Sequence, residues 1–199
     1  EDGIRDRSPS RGLGDVYKRQ GQQAILARRL VERGVPWVTV VMENPYVSGI
    51  RMPDWGVYNW DSHAVNCHLF KDAVIRFPLY DQVITALVED LYARGLDRRV
   101  LLVVTGEFGR TPKINQRGGR DHYPRAMFCI LAGGSMLGGQ VIGESDPKGE
   151  GPKDRIITPD DVAATFYHTL GIDHTKEYHT PTGRPVMIVR DGKPIPELV

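Results

Sequence analysis

The 199-residue chain lacks any apolar run approaching the ~20 residues that a membrane-spanning helix needs. It also lacks an excess of charge: 26 Lys and Arg stand against 25 Asp and Glu, which disfavours a nucleic-acid footprint or a polybasic membrane surface. Cysteine is scarce. Cys67 and Cys129 have no metal-like spacing, and Cys129 sits in an apolar run where a free buried thiol is the default, so neither fixes a redox compartment. No internal repeat is present, and no low-complexity segment follows residue 20.

Residues 1–20 show no apolar periodicity, as a disordered charged tail would. They also resemble the translation of a transposon-kit sequencing adapter: EDGIRD at 1–6, three index residues at 7–9, then SRGLGDVYKRQ at 10–20. On that resemblance they are expected to be non-native and are set apart from the fold. An in-frame adapter further implies that the natural sequence, residues 21–199, is the C-terminal part of one domain whose N-terminal half is missing. About 180 residues suffice for a sizeable core.

From residue 22 the order of patterns is helix then strand. Ala24, Ile25, Leu26, Leu30 and Val31 recur at helical spacing before Gly34, and residues 37–42 form a valine-rich run expected of a strand covered on both faces. Residues 44–66 read as a long loop, which Tyr46, Trp55, Tyr58 and Trp60 argue is ordered. A second helix is predicted from about Tyr80 to Arg94, then strands at 100–105 and 126–131 flanking a polar loop at 106–120, with a short strand at 140–142. Thr158, Pro159, Asp160 and Asp161 form a strong helix start, and residues 186–189 an edge strand. Helices alternating with apolar strands predict an α/β fold.

In open α/β sheets ligands bind beyond the carboxyl ends of the strands, so the polar residues there carry the functional signal. Asp61 and His63 follow the first strand; Glu107, Arg110, Arg120, Asp121 and His122 follow the second. Imidazole and carboxylate are the usual ligands of catalytic divalent ions. The plainer alternatives are surface hydrogen bonds for the Asp–His pairs and a structural ion pair of Glu107 with Arg110 or Arg120. The aromatic group Trp55, Tyr58 and Trp60 suits a sugar-binding surface, though packing within an ordered loop is the commoner role.

The strings TGEFGRTPKIN and GGRDHYPRAMFCILAGGSMLGG, with ITPDDVAATFYHTLGID further on and WDSH at 60–63, together resemble the bacterial family known as domain of unknown function 1501, placed with sulfatases in the alkaline phosphatase superfamily. The resemblance runs from residue 22 to 198. It implies an alkaline-phosphatase-like sandwich, a mostly parallel sheet with helices on both faces, and a site for divalent ions, zinc, manganese or calcium. Residue by residue, Asp61 and His63 resemble that superfamily's spaced Asp and His, at shorter spacing; Glu107 stands where its strand-end Asp would be, and His122 where its last His would be. Phe108 departs from the pattern, because a phenyl ring replaces a histidine ligand, and the second metal site then depends on Asp121. Arg110 and Arg120 suit the clamping of tetrahedral oxyanions, with structural pairing to Glu107 and Asp121 as the alternative. The nucleophile and first ligand are expected upstream of residue 22, which leaves this fragment inactive by itself.

These readings lead to a metal-dependent hydrolase of phosphate or sulfate esters acting on a small-molecule or glycan ester, with an extracytoplasmic location implied by the resemblance. The alternative is a non-catalytic carbohydrate-binding or surface-associated relative with a degenerate metal site. Oligomeric state is not encoded in any of these patterns.

Overall fold

The computed structural model describes residues 18–42, Asp54, Gly56, 60–63 and 68–199. Residues 1–17 and most of the 44–66 loop, including Tyr46, Trp55 and Tyr58, lie outside these, as does Cys67. Two compact units are formed, Glu1–Leu96 with Glu107–Met127, and Asp97–Gly106 with Phe128–Val199.

The first unit is built on α1 (Lys18–Glu32) and α2 (Leu69–Ala93). In α1 the buried positions are Gln20, Gly21, Ala24 and Arg28, on one face of the helix, whereas Leu26 is 58% exposed. The face predicted from the leucines is therefore not the one that packs. Gly34, at φ 86°, takes the left-handed conformation that ends the helix, as expected.

Helix α2 begins eleven residues before the predicted start, because Pro78 lies within it. Proline removes one helical hydrogen bond, that to the Val74 carbonyl, and Val74 is largely exposed, so water can satisfy the freed oxygen. The helix holds its position through a buried stripe, Leu79, Val83, Leu87 and Leu91. Two buried ion-pair systems reinforce it. Asp72 and Arg76 meet at 2.6 Å one turn apart. Asp90 receives Arg28 from α1 at 3.0 Å and Arg94 at 2.8 Å, and both arginines also reach Glu32. A short hairpin, β2 (Gly109–Arg110) with β3 (His122–Tyr123), completes the described part of this unit.

The second unit contains β1 (Leu101–Thr105) paired with β4 (Cys129–Gly133), β5 (Glu144–Ser145) with β6 (Pro152–Asp154), and β7 (Glu177–His179) with β8 (Pro185–Met187). Cys129 is a free, half-buried thiol whose pKa is raised by that burial. Helix α3 (Pro159–Thr169) starts as predicted, with a reciprocal capping box between Thr158 and Asp161. Its buried face, Ala164 and Thr165, underlies the C-terminal segment, where the Ile195 N–H donates to Thr165 Oγ1 at 2.9 Å and the Lys193 N–H to Asp161 Oδ1 at 2.9 Å.

The expected mostly parallel sheet with helices on both faces is not formed. Among the described residues there are three helices and four two-stranded sheets, every pair antiparallel. The physical reason lies in the connection. Parallel neighbours need a crossover, usually a helix, and the chain between β1 and β4 contains only loops and the β2–β3 hairpin. The two apolar runs pair with each other instead, Val103 opposite Leu131, and Val103 remains 39% exposed rather than covered on both faces. Residues 37–42, read as a strand, form no strand, and neither do residues 140–142. The predicted edge strand near residue 186 is present as β8.

Two outcomes follow for stability. Replacing Asp90 by Ala leaves the buried Arg28 and the partly exposed Arg94 with only Glu32 to share, and chemical denaturation should show a loss of about 3–5 kcal/mol; a change below about 1 kcal/mol would show that the network contributes little. For Asp161, partial burial would raise the carboxyl pKa, but the N–H groups of Lys193 and Thr158, the Thr158 hydroxyl and the Arg155 charge outweigh it and hold the group below its ordinary 3.8. A depressed pKa contributes stability that is complete above the unfolded value and lost as pH falls through the folded one. Asp161→Ala should therefore cost about 1–2 kcal/mol at pH 7, and its deficit against the parent chain should shrink below about pH 4. A deficit that stayed constant from pH 7 to pH 3 would contradict this assignment.

Candidate metal centre

Three pieces of the first unit converge on one oxygen. The first is the WDSH segment. Trp60 is fastened to α2: its ring stacks on Phe77 at 6.3 Å, meets the edge of Tyr80 at 5.8 Å, lies under the Arg76 guanidinium at 5.3 Å, and its Nε1–H donates to the Met42 carbonyl at 2.5 Å. The loop aromatic thus serves packing, and this anchor fixes where the adjoining Asp61 and His63 can point. Ser62 is buried between them.

The second and third pieces are the two arms of the β2–β3 hairpin. Its register sets Arg110 directly opposite His122, and directly opposed residues share one face of an antiparallel pair. Both reach Asp61 Oδ1, Arg110 Nη1 at 2.7 Å and His122 Nε2 at 2.8 Å. His63 Nδ1 lies 2.6 Å from the same oxygen. The two imidazole rings meet edge to face at 4.6 Å, and the Phe108 ring lies 4.5 Å from that of His122. Arg110 extends over Phe108 at 5.7 Å.

Burial by itself would raise the pKa of Asp61, but the hydrogen bonds from His122 and Arg110, with the Arg110 charge, outweigh it and hold the carboxyl well below the usual carboxylate range. The group is an anion throughout the physiological range. It is one-third exposed and His122 about half, so the cluster opens to solvent.

The donor set fits a divalent cation. One atom each from Asp61, His63 and His122 lies within 4.8 Å of the others, the only such group of three or more metal-ligating side chains among the described residues. His63 Nδ1 is buried and, although close to Asp61, is not aligned for a hydrogen bond. A buried imidazole nitrogen beside a carboxylate, with no aligned hydrogen bond of its own, is a donor suited to a cation.

The other residues singled out from the sequence fall differently. Glu107 is exposed and outside the cluster. Asp121, also exposed, accepts from Asn115 Nδ2 at 3.0 Å. Of the arginines only Arg110 faces Asp61; Arg120 donates to the carbonyls of Thr111 and Pro112 and so staples the hairpin arm. Two residues that shape the site were not singled out, Asn115 and Gly119. Asn115, with Gly118 and Gly119 three and four residues on, is a turn signal that would have placed a tight bend just ahead of His122.

Fold and site define a protein of helices and antiparallel strand pairs carrying a candidate cation centre of two histidines and one aspartate. By sequence the chain belongs to the family described as "Protein of unknown function (DUF1501)", whose profile matches residues 4–199. No curated protein and no solved structure matches the chain. No helix among the described residues is long and apolar enough to cross a membrane.

Gly119 is where the hairpin approach presses closest on the WDSH segment. A Cβ there would stand 2.5 Å from the Ser62 carbonyl oxygen and 3.1 Å from the His63 carbonyl carbon, both backbone atoms that cannot step aside. Gly119→Ala should destabilise the chain by about 1–3 kcal/mol, read by thermal or chemical unfolding. A variant as stable as the parent would mean the two segments are not held this closely.

Proposed function

We propose that Asp61, His63 and His122 bind a divalent metal ion, zinc or manganese before calcium given two imidazole donors, and that the protein is a metal-dependent hydrolase of phosphate or sulfate esters related to sulfatases. The observation that carries this reading is the convergence of two imidazoles and a carboxylate from distant parts of the chain, with a guanidinium on the same oxygen. A bound ion would supply Lewis acidity, lowering the pKa of an attacking hydroxyl and balancing charge on the transferred group. The chain's own residues do the rest. Arg110 offers a fork suited to tetrahedral oxyanions, Phe108 walls one side of His122, and Trp60 holds the Asp61 and His63 segment in place. The ester is a small molecule or glycan approaching the exposed side of the cluster. An extracytoplasmic location and an adapter origin for residues 1–20 belong to the same reading, the latter checked by sequencing the locus itself.

Phe108 favours one competitor. Its ring, beside His122, brings no donor where the resemblance would put a histidine, as in a non-catalytic, carbohydrate-binding or surface-associated member with a reduced metal site.

Equilibrium dialysis against Zn2+ and Mn2+ should find about one ion per chain, and His122→Ala or Asp61→Ala should weaken binding by at least about 100-fold, beyond the effect usual for groups that only support a ligand. Equal binding by parent and His122→Ala would remove the metal reading. Turnover of p-nitrophenyl phosphate or sulfate by the protein encoded at the natural locus supports the hydrolase. Metal binding without turnover of either ester supports the non-catalytic reading.

A further inference from the structure

We infer that Asn115 is the positioning residue of the metal centre, the side chain that locks the two ligand-bearing segments into one geometry; the inference rests on the metal reading above. Asp61 and His63 come from one stretch of backbone and His122 from another, so the spacing of the three ligands depends on what joins those stretches. Asn115 joins them with its amide nitrogen. Nδ2 donates to the His63 carbonyl at 2.7 Å and to Asp121 Oδ1 at 3.0 Å, touching the residue that carries one imidazole and the neighbour of the residue that carries the other.

The amide oxygen is used as fully as the nitrogen. It accepts the Arg117 N–H at 3.0 Å and the Gly119 N–H at 3.1 Å, and the backbone closes the same bend through Asn115 N–H to the Gly119 carbonyl at 2.8 Å. Two donors and two acceptors are the whole capacity of a primary amide. Turning the amide over would set donor against donor on one side and acceptor against acceptor on the other, so its orientation is fixed by the partners. Successive N–H groups of a turn often cradle an anion, but here Asn115 Oδ1 fills that position, which makes the bend a clamp. The bend then delivers the Arg120 N–H to the Ser62 carbonyl at 3.0 Å, a second rivet beside the first.

No other side chain does both jobs. Asp cannot donate to His63, and Ser can accept from the turn N–H groups as a shorter mimic of the same motif but cannot reach His63 or Asp121. Asn115→Ser is therefore the informative variant, since it keeps the turn and removes the reach.

Three readouts on the purified chain test this: melting temperature without metal, Zn2+ affinity by competition with a chromophoric chelator, and the visible absorption of bound Co2+, which reports ligand geometry. The parent should bind both ions. Asn115→Ser should melt within a few degrees of it, bind Zn2+ about 10–100-fold more weakly, and give a changed Co2+ spectrum. Identical affinity and spectrum in Asn115→Ser would overturn the inference while leaving the metal site standing. A parent that binds neither ion would sink the metal reading itself, and this inference with it. Should Asn115→Ser fail to fold, the exposed end of the bridge gives the answer: Asp121→Ala should weaken Zn2+ binding, and Asp121→Asn, whose amide oxygen still accepts from Asn115, should restore it. Equal affinity in the two Asp121 variants would overturn the positioning role.

Discussion

The candidate centre depends on a single carboxylate oxygen. Asp61 Oδ1 is approached by Arg110, His122 and His63, all within 2.8 Å, and without its charge a guanidinium and two imidazoles would be gathered with nothing to attract them. Everything else in the first unit fixes the approach. Trp60 fastens one side to α2, the Arg110 and His122 register supplies the other, and Gly119 lets the two come within backbone contact. An antiparallel pair of only two residues per strand would be marginal alone. Here it is braced by Thr111 and Arg120, which bond across the same arms.

What was legible in the sequence divides along the range of the forces involved. Local signals were read correctly. The start of α3 is written in four consecutive residues whose hydroxyl, imide ring and carboxylates each meet a specific need of a helix N-terminus, and the left-handed glycines after α1 and α2 mark their ends. The helix predicted from about Tyr80 starts at Leu69 instead, and Pro78 lies inside it, where a long buried stripe on the same helix outweighs the loss of one hydrogen bond. In α1 the apolar periodicity was real, yet Arg28, one turn beyond Ala24, claimed the inner face through its bond to Asp90.

The sheet was misread for a different reason. A short continuous apolar run is compatible with either strand direction, and only the intervening chain decides. That chain, polar and rich in Gly and Arg, holds no helical pattern, so a crossover was already excluded by the residues between 105 and 129. Asp61, His63, His122 and Arg110 were singled out in the sequence by their chemistry. Their grouping was not, because the hairpin that opposes Arg110 to His122 is too short to leave a period of two. Glu107 and Asp121 were singled out by their place after a strand and by the resemblance, and neither joins the Asp61 group, while Asn115 was passed over because its work is done by reach across the fold.

Charge and burial together explain why the Asp61 cluster is the place to look for chemistry when the first unit also holds Asp72 and Asp90. Asp90 is fully buried and met by two guanidinium groups, which cannot give up their protons, so its charges are committed and any exchange would strand an ion in a low dielectric. Asp72 is in the same position with Arg76. Asp61 differs in both respects. A third of it faces water, and two of the groups that reach its Oδ1 are imidazoles. That is what the proposed metal reading asks of a ligand set, a carboxylate anion open to solvent beside two nitrogen donors, and Arg110 keeps a fixed positive charge on the same oxygen.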